Sequence, residues 1–425
     1  MPNAGRDVIA ALARSRAAIV ATWLLTRGVI VALVFLIADG DIGRLQDVNY
    51  YIESARHVLD TGSMPNTVLW QYPPGALLAI LPPAAAGWGM GYAAVFVALM
   101  VACDAVICVL LAAAARAGGS LLGLWAWLLV FPFLREFSVL RFDLLPAMLA
   151  AGGLVLLARR PMWMGALLGL GALVKAWPAV LLAAEFRGRP LVRAAGAALV
   201  VFVVGVALAA ALLGDQSGVV DNQQGRGLQE ESIAATWWQA RAVVQGEDPP
   251  RVYAYGSVQI NDPRAADVDH ALRWVTLAAM LLLGVWWLRR VLQQRRAGLE
   301  GGASVSVGLD FVFVGVLAAL VTSRVLSPQF MVWALVVGAV AVSRVETRMR
   351  RPFLLVCAAT IPVAGILDHP LLLVVRNVLL VAATLDALQL LVRTPAPRPL
   401  PLDAETAPDG RASQAAATSA VPTSR

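Results

Sequence analysis

Long apolar runs alternate with short polar and basic stretches along almost the whole chain, and the lengths of those runs predict a helical membrane protein. The first run, Ala17 to Ala38, is about the length needed to cross a ~30 Å hydrocarbon core. No small-residue cleavage site follows it, so it reads as a retained helix and not as a signal peptide. Further spans are expected at about Gly91 to Ala115, Leu121 to Leu134, Leu144 to Ala158, Leu191 to Leu213, Ala271 to Leu288, Phe311 to Thr322, Gln329 to Val342, Phe353 to Leu367 and Leu371 to Val392. Met162 to Glu185 is apolar enough to cross, but Lys175-Ala-Trp-Pro178 interrupts it and the basic RGRPLVR follows. Crossing would put that basic stretch on the wrong side of the membrane. A re-entrant pair of half-helices meeting near Lys175 is therefore preferred, with an ordinary span and an atypical loop as the alternative. The expected fold class is an all-α polytopic bundle of about 10–12 transmembrane or re-entrant helices, spanning residues 17–392.

Two longer polar segments interrupt the bundle, at about residues 39–75 and 214–270. In the first, Val48, Ile52, Ala55 and Leu59 recur at helical spacing and Gly62 is a natural stop, which predicts an amphipathic surface helix with Asp47 immediately before it. Gly75 to Pro83 is too short to span and is expected to dip into the membrane. In the second, Trp237 and Trp238 suit an interface, and the alternation of RVYAYGSVQI around Gly256-Ser257 predicts a small hairpin. Residues 1–16 form a short N-terminal segment. The tail 393–425, rich in Pro, Ala, Ser and Thr, has too few large apolar residues to fold.

Composition excludes a soluble chain: the 425 residues are 59% hydrophobic and 14% charged, with a mean hydropathy of +0.73. The formal charge of +7 sits in short basic clusters between apolar runs, as orientation signals do, so no nucleic-acid partner is read from it. Arginines before the first run, RRVLQQRR and the stretch Arg344 to Arg351 put both termini in the cytoplasm and the two long loops outside it. Cys103, Cys108 and Cys357 all lie in apolar segments without metal-ligand spacing, so neither disulfide nor zinc is expected.

On that topology most isolated charges fall on the outer side: Asp47, Glu53, Arg135, Glu136, Arg141, Asp143, Lys175, Arg226, Glu230, Glu231, Arg324 and Asp368. Both signs at one face argue for a site there, whereas a transporter more often places charge near the midplane. Each residue also has a plainer reading. Asp47 suits an N-cap, Asp143 a cap for the helix starting at Leu144, and Lys175 a snorkelling cation. Arg226 and Glu230 have the spacing of a helical ion pair. Tyr50, Tyr51, Trp70 and Tyr72 are either interfacial aromatics or stacking partners for sugar or isoprenoid. His57 and His369 read as structural or solvent-facing.

The order Asp47-Val-Asn-Tyr-Tyr, Tyr72-Pro-Pro-Gly, Arg141-Phe-Asp143-Leu-Leu-Pro, Gly169-Leu-Gly-Ala-Leu-Val-Lys175-Ala-Trp-Pro and Val325-Leu-Ser-Pro-Gln329-Phe resembles the membrane glycosyltransferases of the GT-C superfamily. The branch it is similar to is glycosyltransferase family 87, which includes polyprenyl-phosphate-mannose-dependent α-mannosyltransferases. The resemblance implies a GT-C-like bundle in a bacterial cytoplasmic membrane with an extracytoplasmic active site. It also implies a polyprenyl-phosphate sugar donor, a glycolipid or envelope-polysaccharide acceptor, surrounding membrane lipid, and an aspartate in the first outer loop as base. Asp47 holds that position, and a single carboxylate there in place of a paired motif speaks against a metal-dependent variant. No cofactor is expected beyond the lipid-linked co-substrate.

The chemistry agrees with the residues. A neutral alcohol needs a base to become a nucleophile, and a phosphate leaving group needs cations more than a general acid. The expected set is Asp47 as base, Lys175, Arg141 and Arg324 on the donor phosphate, and Tyr50, Tyr72, Asp143, Arg226, Glu230 and Gln329 around the substrates. A transporter or lipid-linked sugar flippase is the alternative from another class, and a non-catalytic scaffold of a wall-building complex a third.

Overall fold

The structure, a computed structural model, describes residues 14–116, 119–214, 222, 225–296, 302–365 and 369–395. Asp368, the first thirteen residues and the tail beyond 395 lie outside the described residues. The fold is 78% helical with one two-stranded sheet, as an all-α polytopic membrane protein requires.

Six of the described helices are long and apolar enough to cross a bilayer. They are α1 (Arg16–Ala38), α3 (Met90–Arg116), α7 (Gly188–Leu213), α9 (Pro263–Arg296), α10 (Gly302–Thr322) and α13 (Pro370–Val392). Lipid in place of water around them explains why α7 and α9 leave their apolar side chains almost wholly uncovered. Between them pack shorter helices: α4 (Leu122–Val130), α5 (Leu144–Leu156), α6 (Pro161–Val174), α11 (Met331–Arg344) and α12 (Arg350–Thr360). They are shorter than the apolar runs that announce them because prolines turn the ends into 3₁₀ segments, at Phe131–Ser138, Pro328–Phe330 and Ile361–Gly365. α11 is buried on nearly every face and forms the centre of the main core.

Helix α6 ends at Val174, Lys175 is extended, and a 3₁₀ segment Trp177–Ala184 follows with Pro178 in its first turn. The interruption expected at Lys175 is therefore present. Pro178 removes an amide donor and its ring clashes with a preceding carbonyl, so the helix cannot continue. The surface helix α2 (Gln46–Thr61) buries Val48, Tyr51, Ile52, Ala55 and Val58 and stops at Gly62, whose φ of 65° only glycine adopts freely. It begins two residues earlier than the apolar spacing implies: Leu45 takes the N-cap position and Asp47 stands inside the first turn, so Asp47 is not the cap.

In the second long segment, α8 (Thr236–Gln245) precedes β1 (Arg251–Ala254) and β2 (Ser257–Ile260). Ala254 pairs with Ser257, which leaves Tyr255 and Gly256 as a two-residue turn with φ of 52° and 70°. The turn is thus centred one residue before Gly256-Ser257, where two positive φ angles match the twist of the strands. Trp237 is exposed as an interfacial residue should be, but Trp238 turns inward and its indole N–H donates to Asp262 at 3.1 Å. Helix α9 starts at Pro263, so the end of this segment is already helical.

One pair breaks the expectation that isolated charges gather at one face. Arg27 and Asp104 meet near the middles of α1 and α3, with side chains 2% and 1% exposed. Arg27 Nε and Nη2 donate to the two oxygens of Asp104 at 2.8 and 2.9 Å, and the indoles of Trp23 and Trp127 donate at 2.6 and 2.7 Å. Arg27 Nη1 donates to the Leu128 carbonyl. Charge so deep in apolar packing is tolerated because every strong donor and acceptor has a partner.

Candidate active site

Six stretches of chain enclose one cavity of about 880 Å³: the start of α2, residues 69–73, the corner before α5, the break after α6, residues 226–231 with the hairpin, and residues 319–333. That volume is at the upper end of small-molecule sites. Of the residues singled out from sequence, Asp47, Tyr50, Tyr72, Arg141, Lys175, Arg226, Glu230, Arg324 and Gln329 all line it. Asp143 stands just behind the lining, bonded to Lys175.

Aromatic packing and one glycine set the walls. The Tyr72 ring meets Phe142 at 4.8 Å, Trp70 at 5.7 Å and Tyr51 at 6.5 Å, which ties α2, the 70–75 step and the 141–143 corner together. Gly75 presses against the end of α6: a Cβ there would stand 2.6 Å from the backbone carbon and oxygen of Leu173. The Tyr72-Pro-Pro-Gly step can lie against the broken helix only with glycine at its close.

The charges arrive in pairs. Arg141 Nε donates to Asp47 Oδ2 at 2.9 Å and Lys175 Nζ to Asp143 Oδ1 at 2.7 Å. Glu230 pairs with Arg251 at 2.6 Å and Glu231 with Arg376 at 2.9 Å. Arg324 pairs with Asp269 at 3.2 Å and also donates to the Arg226 carbonyl at 2.5 Å. Three plainer readings are overturned. Asp143 makes no capping hydrogen bond, because its carboxylate is held by Lys175 and by the Trp333 indole at 2.8 Å. Lys175 does not snorkel free; it sits among the rings of Phe330, Trp333 and Phe142 at 4.9, 5.4 and 5.6 Å. Arg226 and Glu230 are no helical ion pair. The segment is not helical: the Glu230 amide donates to the Val258 carbonyl and the Leu228 carbonyl accepts from Ile260, so Gln229 makes a single antiparallel bridge to Gln259 of β2.

Burial works to lower the Arg141 guanidinium, but Asp47 and then Tyr51 outweigh it and hold the group above the usual arginine range. Burial raises the Glu231 carboxyl against the pull of Arg376. It also raises the Tyr50 hydroxyl. Buried polar atoms without a hydrogen-bond partner among the described residues include Arg226 Nε, Trp177 Nε1, Gln229 Oε1, Gln329 Oε1 and the Tyr50 hydroxyl, all on residues that line this cavity. Buried polar atoms are normally satisfied, so unmet donors and acceptors gathered on the residues that line one cavity point to a place for a polar ligand.

Sequence reasoning missed Asp269, Gln229 and Trp333. Asp269 carries a signal, since it stands four residues before Arg273 in the first turns of α9 and pairs with it at 2.9 Å. Trp333 is four residues after Gln329, one helical turn on, which puts both on one face. Gln229 has no such signal.

Among curated proteins and solved structures, nothing matches the chain. A family model does. Residues 70–222, from the Trp70–Gly75 wall through Arg141, Asp143 and Lys175, match glycosyltransferase family 87, a finding consistent with a GT-C-like family 87 glycosyltransferase.

Proposed function

We propose that this chain is an inverting glycosyltransferase that moves a sugar, mannose in the first instance, from a polyprenyl-phosphate donor to a glycolipid or envelope-polysaccharide acceptor. We place the reaction at the outer face of a bacterial cytoplasmic membrane, with both termini in the cytoplasm. The observation that carries the reading is the cavity itself, where the Asp47 carboxylate stands with Arg141, Lys175, Arg226 and Arg324, four cations from four separate stretches of chain.

In this mechanism the Asp47 carboxylate takes the proton of the acceptor hydroxyl as its oxygen attacks the anomeric carbon of the donor sugar. The bond from that carbon to the phosphate oxygen breaks, and its electron pair leaves with the phosphate. Attack opposite the leaving group inverts the anomeric centre. Arg141, Lys175 and Arg324 supply the positive field that stabilises the departing phosphate, each from an ion pair that offsets its charge before the donor binds. Tyr50, Tyr72 and Gln329 line the space for sugar and lipid, Asp143 holds Lys175, and Glu230 holds the hairpin strand through Arg251.

The alternative of a transporter or flippase drew on charge buried within the spans, and Arg27–Asp104 is such a charge. It lines no part of the cavity and its hydrogen bonds are complete, so it offers nothing to a passing substrate. Purified protein incubated with radiolabelled polyprenyl-phosphate mannose and a lipid acceptor pool is expected to yield a new labelled glycolipid. Asp47→Asn should insert and fold but lose about 10²-fold or more of the rate. Normal turnover in that variant removes Asp47 as base, and movement of donor across vesicles without covalent change replaces the reading with a flippase.

A further inference from the structure

The charge pairing around the cavity leaves one residue over. Each of the three cations read from sequence as phosphate ligands has a carboxylate partner, and both glutamates of the wall have an arginine. Arg226 has none among the described residues. Its Nε is buried without a hydrogen-bond partner, and its Nη2 reaches only Ser257 Oγ, at 3.5 Å. Arg226 lines the cavity, and the guanidinium edge made by Nε and Nη2, of the kind that takes two oxygens of a phosphate side by side, meets only this one weak partner among the described residues.

The neighbours sharpen the point. Burial lowers the Arg226 guanidinium from its ordinary range; Tyr72 works the other way, while the charges of Arg324 and Arg141 push it down further. A half-buried cation among cations is costly, and here Arg324, through its bond to the Arg226 carbonyl, and the Gln229 amide on the Arg324 carbonyl fix the backbone on either side of it. The chain therefore holds the cation in place without neutralising it. One surplus positive charge matches one anionic phosphodiester, the charge state of a sugar joined to a lipid through a single phosphate.

We infer that Arg226 is the direct anchor of the donor's phosphate, and that Arg324, bonded to Asp269 and to the Arg226 backbone, is a positioning residue for it. This rests on the reading given under Proposed function, and it moves the principal phosphate contact away from Lys175, Arg141 and Arg324. It also puts that contact outside residues 70–222, the part that matches the family model.

The test is a titration of the full chain in detergent, read by tryptophan fluorescence, with polyprenyl phosphate and with the uncharged polyprenol of the same length. The wild type is expected to prefer the phosphate. Arg226→Gln should lose about tenfold or more of that affinity, the size of a charge-assisted bidentate contact, and Arg226→Lys should regain part of it. Affinity for the polyprenol should be equal in all three, which a merely structural role for Arg226 would not give. Arg226→Gln binding polyprenyl phosphate within about twofold of wild type overturns the inference. Should that variant fail to fold, Arg226→Lys decides alone: a point charge in place of the fork should weaken the phosphate about threefold or more, and unchanged binding overturns the inference. A wild type with no preference for phosphate over alcohol overturns it as well. Loss of phosphate binding in the variants, together with a wild type that transfers no sugar, leaves the anchor standing and removes the proposed reaction instead.

Discussion

Two clusters in this molecule are built from the same parts, arginine, carboxylate and tryptophan, and they are finished in opposite ways. Between α1 and α3, Asp104 accepts from two nitrogens of Arg27 and from two indoles, and no polar atom of that set faces open space. Around the cavity, Asp143 holds Lys175 and Trp333 in a similar manner, but Arg226, Trp177, Gln229 and Gln329 each keep one polar atom unmet. Saturation is what separates a pin from a site. A closed set of hydrogen bonds holds helices together and has nothing to give a ligand, whereas an open set waits for one.

The contrast breaks most readily at Asp104. Asp104→Ala leaves a buried guanidinium without its counter-ion and is expected to cost about 3–5 kcal/mol of stability. In detergent this would be measured as a lowered unfolding midpoint, while the molecules that remain folded keep their KM for donor. A variant of normal stability, or one with a raised KM, would show that the two clusters are not different in kind. Asp47→Asn is the mirror experiment, normal in melting and silent in transfer. Gly75→Ala should have a smaller effect, about 1–3 kcal/mol, because the added methyl runs into the Leu173 backbone and must push the Tyr72 wall off α6. Its activity should fall with its stability, and full activity would mean that the wall does not shape the site. Least of all, Arg44→Ala removes a surface pair whose partners are 54% and 73% exposed, and its melting should stay within about 0.5 kcal/mol of wild type.

How much of this the sequence disclosed depended on the range of the interaction. The break at Lys175 and the hairpin were legible because proline and turn chemistry act on adjacent residues. The start of α2 was displaced by two residues, since Leu45 holds a cap position that sequence would give to a hydrogen-bonding side chain. Arg226 and Glu230 misled in another way. Their four-residue spacing suits a helix, but the segment is joined to β2 by backbone hydrogen bonds to Val258 and Ile260, an arrangement decided by chain about 30 residues away. Arg27 and Asp104 lie 77 residues apart, and neither has a local feature that names the other. Their cost within an apolar run was itself a signal, because a charge at that depth requires a partner. The candidate site residues came together in one cavity for a related reason. Charges between apolar runs were few, and the bundle ends left them little other place to gather.

The small ribbon in the cavity wall carries a mechanical consequence. Two strands alone are marginal in water. This ribbon leans on residues 228–230 along one edge, and the Gln71 side chain grips its tip through the Tyr255 carbonyl at 3.2 Å. The stretch that steadies the ribbon is also the one that presents Arg226 and Gln229. A guest that tightens residues 226–229 therefore stiffens the ribbon hydrogen-bonded to them, so the wall that meets the guest and the wall beside it are held by one piece of chain.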